Sequence, residues 1–400
     1  MNLESIKYSL RNLNHRKGRS FLTVFSIMVG IATIFIFISF GYGLYNYTNS
    51  FTTGSSADKL LIMAKGSGAP GMDDTFKLTN DDLDVVQKTS GVYEASGVYY
   101  DVVKVEKGRQ SKYVFITSYD PKTPLVLDIF GVEVEKGRLL NQGDSKSALV
   151  GYNYLIDNKI FEKGLDINDV IEINGEKIRI VGFLESIGNP QDDSQVYVTN
   201  DYFLKLFPEK NSYAEIVARV DLDNIKQVTE NVEKALRKSR GFDKGKEDFY
   251  VQSFEDMIES FSGALNMIIG FVILIALISV LVSAINTANT MITSVLERYK
   301  EIGILKAIGA RNSEILKIFL FESSFLGFMA GVLGVLVGWV MTVVASGILD
   351  SLGWGFLSPY YSLGIFAGCI IFATLTGAIS GVIPAIRASR INPVEALRYE

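Results

Sequence analysis

Four long stretches without a charged side chain most constrain how this 400-residue sequence can fold. They cover residues 21–45, 260–296, 323–349 and 351–386, and the shortest of them holds 25 residues. An α-helix of about 20 apolar residues spans the hydrocarbon core of a bilayer, which is about 30 Å thick. Each stretch is long enough for one crossing, so the sequence predicts an integral membrane protein with four transmembrane helices.

Two of the stretches have informative lengths. At about 1.5 Å per residue, residues 260–296 would extend for about 55 Å, so this helix is expected to tilt or to protrude from the bilayer. Residues 21–45 exceed the apolar region of a secretory signal peptide, about 7–15 residues long, and lack its small-residue cleavage site. We therefore interpret them as a retained span.

The balance of basic and acidic residues differs from segment to segment. Residues 1–45 carry five Lys or Arg and one acid, whereas residues 46–258 carry 26 Lys or Arg and 35 acids. The other basic residues follow the second and the fourth span. The positive-inside rule then places both termini and the loop 297–313 in the cytoplasm, and residues 46–258 outside. We expect a multi-pass protein of the cell (cytoplasmic) membrane.

Composition excludes several classes of function. A net charge of −5 and a pI of about 5.3 provide no basic excess for a nucleic acid partner. Cys369 is the one cysteine and His15 the one histidine, which excludes an internal disulfide framework and a Cys- or His-rich metal site. The acidic clusters of residues 46–258 lack EF-hand spacing. No catalytic residue, no metal site and no cofactor on this chain are predicted.

Residues 46–258 have the pattern of a mixed domain. Alternating apolar residues and the turn Asn174-Gly175 predict a β-rich insertion at about 131–210 within an α+β unit. The predicted fold class is an α-helical membrane protein with four transmembrane helices, plus a large α+β extracytoplasmic domain between the first and second spans. The predicted segments are an interfacial amphipathic helix (1–20), helix 1 (21–45), the external domain (46–258), the long helix 2 (259–296), a coupling loop (297–313), helix 3 (314–349), a short external link (350–360), helix 4 (361–386) and a cytoplasmic tail (387–400).

The first segment has an apolar stripe, because Leu3, Ile6, Leu10 and Leu13 are spaced three or four residues apart. With the basic residues that follow, this pattern favours a helix lying among lipid headgroups. An ordinary soluble amphipathic helix is the alternative.

Helix 3 carries a face of small residues and one carboxylate. Gly327, Gly331, Gly334 and Gly338 mark a face that allows close helix packing, either within one subunit or at a dimer seam. Glu322 is either a functional intramembrane carboxylate or the partner of Lys317 or Arg311. The pattern does not choose between these alternatives.

The loop between helices 2 and 3 is the most informative segment. The spacing of Ile302, Leu305, Ile308 and Gly309 predicts a short amphipathic helix with Gly309 at its C-terminal cap. A rigid helix in this place suits contact with a soluble partner. A passive surface helix fits the pattern equally well.

Three motifs lie at the start, in the middle and at the end of the chain: residues 9–13 (SLRNL) with 19–23 (RSFLT), residues 297–311, and residues 384–398. They resemble three features of the MacB/FtsX-like (type VII) permease family of ABC transporters. These features are its opening, its specific signature E-R-x-x-E-I-G-x-x-K-A-x-G-A and its ending P-A-x-x-A-x-x-x-x-P-x-x-A-L-R. The resemblance covers essentially the whole chain.

The resemblance implies a homodimer, or a heterodimer with a related permease, that engages a LolD- or MacB-like ABC ATPase and contacts membrane lipid. ATP and Mg would bind to that ATPase. It is expected to be a separate polypeptide, since the sequence has no G-x-x-x-x-G-K-[ST] motif. The residues implied to contact the ATPase are Glu297, Arg298, Glu301, Ile302, Gly303, Leu305, Lys306 and Gly309.

The function implied is that of a non-catalytic permease subunit. It would couple ATP hydrolysis to movement of the external domain for export or release of a substrate (mechanotransmission). An ATPase-driven regulator of an envelope enzyme is one alternative, and a membrane-anchored receptor or external enzyme is another. No residue pattern identifies the substrate.

Overall fold

The computed structural model describes residues 17–52, 56–65 and 77–398. The chain forms two compact units, which we call the membrane unit (residues up to Leu44, Ala264–Ile348 and Leu357 onward) and the external unit (Tyr45–Gly263 and Leu349–Phe356). Most of the amphipathic helix predicted at residues 1–20 lies outside the described residues.

Ten α-helices lie in the described ranges, and four of them are long and apolar enough to cross a membrane: α1, α6, α8 and α9. The four-span fold class is thereby confirmed. The long second helix, α6, runs for 44 residues without a break, about 66 Å at 1.5 Å per residue. The helices are α1 (Lys17–Thr52), α2 (Asn80–Gln87), α3 (Leu125–Phe130), α4 (Asn200–Leu206), α5 (Ile225–Arg240), α6 (Phe254–Glu297), α7 (Tyr299–Ala307), α8 (Asn312–Leu352), α9 (Leu363–Ser389) and α10 (Pro393–Arg398).

The described residues of the external unit form two sheets. Their strands are β1 (Lys59–Ala64), β2 (Val92–Val98), β3 (Tyr100–Lys107), β4 (Gln110–Tyr119), β5 (Val134–Gly137), β6 (Ser147–Val150), β7 (Val170–Ile173), β8 (Glu176–Leu184), β9 (Val196–Thr199), β10 (Glu215–Val220) and β11 (Phe249–Ser253). One sheet has the order β11-β1-β10-β2 and is antiparallel throughout. The other has the order β5-β8-β6-β9-β4-β3-β7 and includes the parallel pairs β4–β9 and β6–β8.

The first sheet is covered by α5, whose residues Val228, Val232 and Leu236 are buried at helical spacing. In the second sheet, β7 and β8 form the predicted hairpin around Asn174-Gly175, with φ of 53° and 78° at the two turn residues. Positive φ at both positions is the requirement that selects Asn-Gly for a tight hairpin turn. The second sheet also includes β3 and β4, which precede residue 131 in the chain.

In the membrane unit, the four glycines of α8 face two helices of the same chain. A Cβ atom on Gly327 would lie 2.4 Å from the carbonyl oxygen of Ala373 in α9, and Gly331 also packs against α9. A Cβ atom on Gly334 would lie 2.8 Å from the carbonyl oxygen of Met28 in α1, and Gly338 also packs against α1. The small-residue face is therefore used for close packing within the chain.

Candidate functional site

The loop after α6 folds into a corner followed by a nine-residue helix, α7. Arg298 forms the corner between α6 and α7, and its carbonyl oxygen accepts a hydrogen bond of 2.9 Å from the amide of Ile302. Gly309 follows α7 with a φ of 103°, a backbone conformation that residues with a Cβ atom rarely adopt. The predicted short helix and its glycine stop are both present.

The inner face of α7 packs against the C-terminal part of the chain. A Cβ atom on Gly303 would lie 2.5 Å from the Cβ of Ala396, so α10 approaches α7 closely at this glycine. The Nζ atom of Lys306 donates hydrogen bonds to the carbonyl oxygens of Ser389 (2.9 Å) and Ile391 (2.6 Å). Carbonyl groups at a helix C-terminus have no partner within the helix, so the ammonium group of Lys306 caps α9.

A buried ion pair joins the corner to α8. The Nη1 atom of Arg298 lies 3.3 Å from Oε2 of Glu322, and each side chain is 6% exposed. The guanidinium of Arg298 also lies over the ring of Phe319, 5.2 Å from its centroid. Its Nε atom lies 3.4 Å from Oε2 of the more exposed Glu301.

This arrangement identifies a partner for Glu322. Lys317 is five residues away in α8, which places it about 140° around the helix. Arg311 precedes Glu322 by eleven residues, about 16 Å along the axis. The partner in the structure is instead Arg298, which packing of the corner against α8 brings within reach.

The outer face of α7 is exposed and mixed in character. We define it as Lys300, Glu301, Ile304, Ala307 and Ile308, all of them exposed. Ile304 and Ile308 are one turn apart and are 48% and 77% exposed. An apolar pair bordered by charges is a composition suited to docking a protein partner.

The eight residues implied by the resemblance therefore separate into groups. Glu297, Glu301 and Gly309 are exposed, Leu305 and Lys306 are half-buried, and Arg298, Ile302 and Gly303 are buried. The apolar spacing grouped Ile308 with Ile302, whereas Ile302 is buried and Ile308 is exposed. Ile304 was not among the predicted residues, although its spacing of four from Ile308 is a readable signal.

The external unit has its own unusual carboxyl groups. Burial raises the pKa of Glu215 on β10 to about 7, and burial with the nearby charge of Asp193 raises that of Asp192 to about 6. In the parts of the chain that the structure describes, no three His, Cys, Asp or Glu residues come together as a group that could hold a metal ion.

Family models match both halves of this architecture. A MacB-like periplasmic core domain matches residues 20–235, and an FtsX-like permease C-terminal domain matches residues 273–393. The chain belongs to the MacB/FtsX type of ABC transporter permeases. An α+β domain between the first and second spans is the fold of this class, as the sequence predicted.

Relatives resemble the chain over its whole length. It is 33% identical to the uncharacterized ABC transporter permease MJ1507 of Methanocaldococcus jannaschii over 398 residues, which cover 99% of this chain and 98% of the relative. It is 27% identical to the macrolide export ATP-binding/permease protein MacB of Wolinella succinogenes over 418 residues, which cover 99% of this chain and 61% of that protein. The solved periplasmic region of MacB from Actinobacillus actinomycetemcomitans matches 52% of this chain at 13% identity, with a TM-score of 0.43.

Proposed function

We propose that this permease is a non-catalytic subunit that couples ATP hydrolysis on a separate ABC ATPase to movement of its external domain, and so exports or releases a substrate. The main observation in support is the outer face of α7, where Ile304 and Ile308 are exposed. The inner face of the same helix is hydrogen-bonded to and packed against the rest of the membrane unit. A helix anchored on one side can pass on a push received on the other.

α6 provides a route for that push. It begins directly after β11 and continues as one helix to the corner that leads into α7. A continuous helix is stiff along its axis because each turn is hydrogen-bonded to the next. A displacement of α7 would therefore be carried through α6 toward the external domain.

The remaining parts of the proposal concern location and partners. The positive charge near the α6–α8 loop favours a cytoplasmic position for α7, where an ATPase binds ATP and Mg. Large apolar side chains of α6 remain exposed, including Phe271, Ile275 and Leu281. Membrane lipid and a second permease subunit, identical or related, would cover them.

The test is a charge placed on the outer face of α7. The full chain is reconstituted in nanodiscs with the ABC ATPase that co-purifies with it, and association and stimulated ATP hydrolysis are measured. We expect Ile308→Glu to weaken association at least tenfold, because an unpaired charge must be desolvated at the contact. The matched control is Leu222→Glu, an exposed leucine of the external unit, which should behave as wild type.

If Ile308→Glu associates with the ATPase and stimulates ATP hydrolysis as wild type does, α7 is not the contact with the ATPase. Substrate transport is tested separately by ATP-dependent movement of substrate into vesicles. Stimulated hydrolysis without any such movement would instead favour a mechanical regulator of an envelope enzyme.

A further inference from the structure

We propose that Arg298 and Glu322 are positioning residues, whose buried ion pair fastens the α6–α7 corner to α8 so that movement of α7 reaches α8 together with α6. This inference rests on the proposed function of α7. It adds a second route for the movement, from the start of α7 across to a different span.

The first step is the burial of the pair. Both side chains are 6% exposed, and the guanidinium of Arg298 lies between two groups of α8, the carboxylate of Glu322 and the ring of Phe319. Phe319 and Glu322 are three residues apart and so lie on one face of α8. Arg298 thus contacts one face of α8 through two different groups, in addition to its contact with Glu301 of α7.

The second step is what such a pair contributes. The energy of desolvation offsets most of the attraction in a buried ion pair, so its presence is weak evidence for stability. Its geometry is more consequential, because the planar guanidinium must stay aligned with both the carboxylate and the ring. The corner cannot turn relative to α8 unless the contact between Arg298 and Glu322 breaks and separates two opposite charges in a buried place.

The third step is the position of the pair along α7. Arg298 precedes the first residue of α7, and Lys306 near the other end donates hydrogen bonds to the carbonyl oxygens of Ser389, the last residue of α9, and of Ile391, which follows it. The short helix is therefore linked at its start to α8, at its end to α9, and through the corner to α6. A push on its outer face would move three spans together.

The experiment separates association from transmission in the nanodisc complex described above. Glu322→Gln removes one charge and keeps the shape of the side chain. We expect association with the ATPase within threefold of wild type, but an ATP-dependent change in hydrogen exchange of the external unit reduced at least tenfold. The reversed pair Arg298→Glu with Glu322→Arg should recover more of this change than either single variant.

The control is Asp243→Asn, which removes the carboxylate charge from an exposed ion pair with Lys246. This variant should show the same ATP-dependent change in hydrogen exchange as wild type. Suppose that Glu322→Gln shows the wild-type ATP-dependent change in hydrogen exchange of the external unit, while Ile308→Glu loses association with the ATPase. This result would overturn the present inference and leave the proposed function standing. Loss of association by Glu322→Gln as severe as that of Ile308→Glu would also overturn it, because the pair would then only maintain the fold of α7. Normal association by Ile308→Glu would contradict the proposed function itself.

Discussion

At the scale of single residues, Glu215 on β10 is a carboxyl group with a raised pKa. Burial raises its pKa from the ordinary 4.5 to about 7. The folded state therefore binds a proton more tightly than the unfolded state, and stability from this residue is present below pH 4.5 and is lost as the pH rises through 7. Glu215→Gln removes this dependence.

We expect Glu215→Gln to be more stable than wild type at pH 8, on the order of 2 kcal/mol, with the difference vanishing near pH 4.5. The measurement is thermal unfolding of the full chain in detergent between pH 4.5 and 8. A difference between Glu215→Gln and wild type that stays flat across this range would show that the Glu215 carboxyl is not buried in solution.

The sequence predicted the role of those residues for which the local backbone conformation determines the residue type. Gly309 ends α7 because the chain there needs a positive φ, and Asn174-Gly175 forms a hairpin turn for the same reason. The partner of Glu322 could not be predicted in this way. It depends on how the corner at Arg298 packs against α8, and helical spacing describes only neighbours on the same helix.

At the scale of elements, the glycine face of α8 supports a direct test. A Cβ atom on Gly327 would meet a backbone oxygen of α9 at 2.4 Å, so Gly327→Val must push the two helices apart. We expect a loss of about 1–3 kcal/mol and a lower unfolding temperature for the full chain in detergent. Gly368→Val in α9, where nothing lies within 4 Å, is the matched control and should keep the wild-type temperature.

Light scattering of the same samples distinguishes the two interpretations of this face. Packing within the chain lowers the unfolding temperature of Gly327→Val and leaves the oligomeric state of the surviving folded protein unchanged. A dimer seam would give the reverse result, with a changed mass and an unaltered unfolding temperature.

The external domain shows why strands were easier to predict than sheets. Alternating apolar residues around the Asn174-Gly175 turn predicted the strand segments that became β7 and β8. They did not reveal that β4 pairs in parallel with β9, about 80 residues further along the chain, or that β6 lies between β8 and β9. Long-range pairing depends on which faces fit together in the core, and periodicity carries no information about it.

At the scale of the whole molecule, the charge-free stretches predicted the four helices of the described chain that are long and apolar enough to cross a membrane. The physical basis of this prediction is strong, because a backbone in hydrocarbon must satisfy its own hydrogen bonds and a helix does so within one segment. The stretches did not reveal that the second span begins directly after β11 and runs as one uninterrupted helix of 44 residues.

The continuity of α6 leads to a prediction for the assembled transporter. Gly270 lies in α6 with nothing within 4 Å of its Cβ position, so a larger residue fits there. Gly270→Pro removes a backbone hydrogen bond and bends the helix, at a cost of about 3 kcal/mol. We expect ATPase association to stay normal, while the ATP-dependent change in hydrogen exchange of the external unit falls severalfold. Gly270→Ala keeps the helix straight and should transmit as wild type. Equal transmission by the proline variant would show that movement reaches the external domain by a route other than α6.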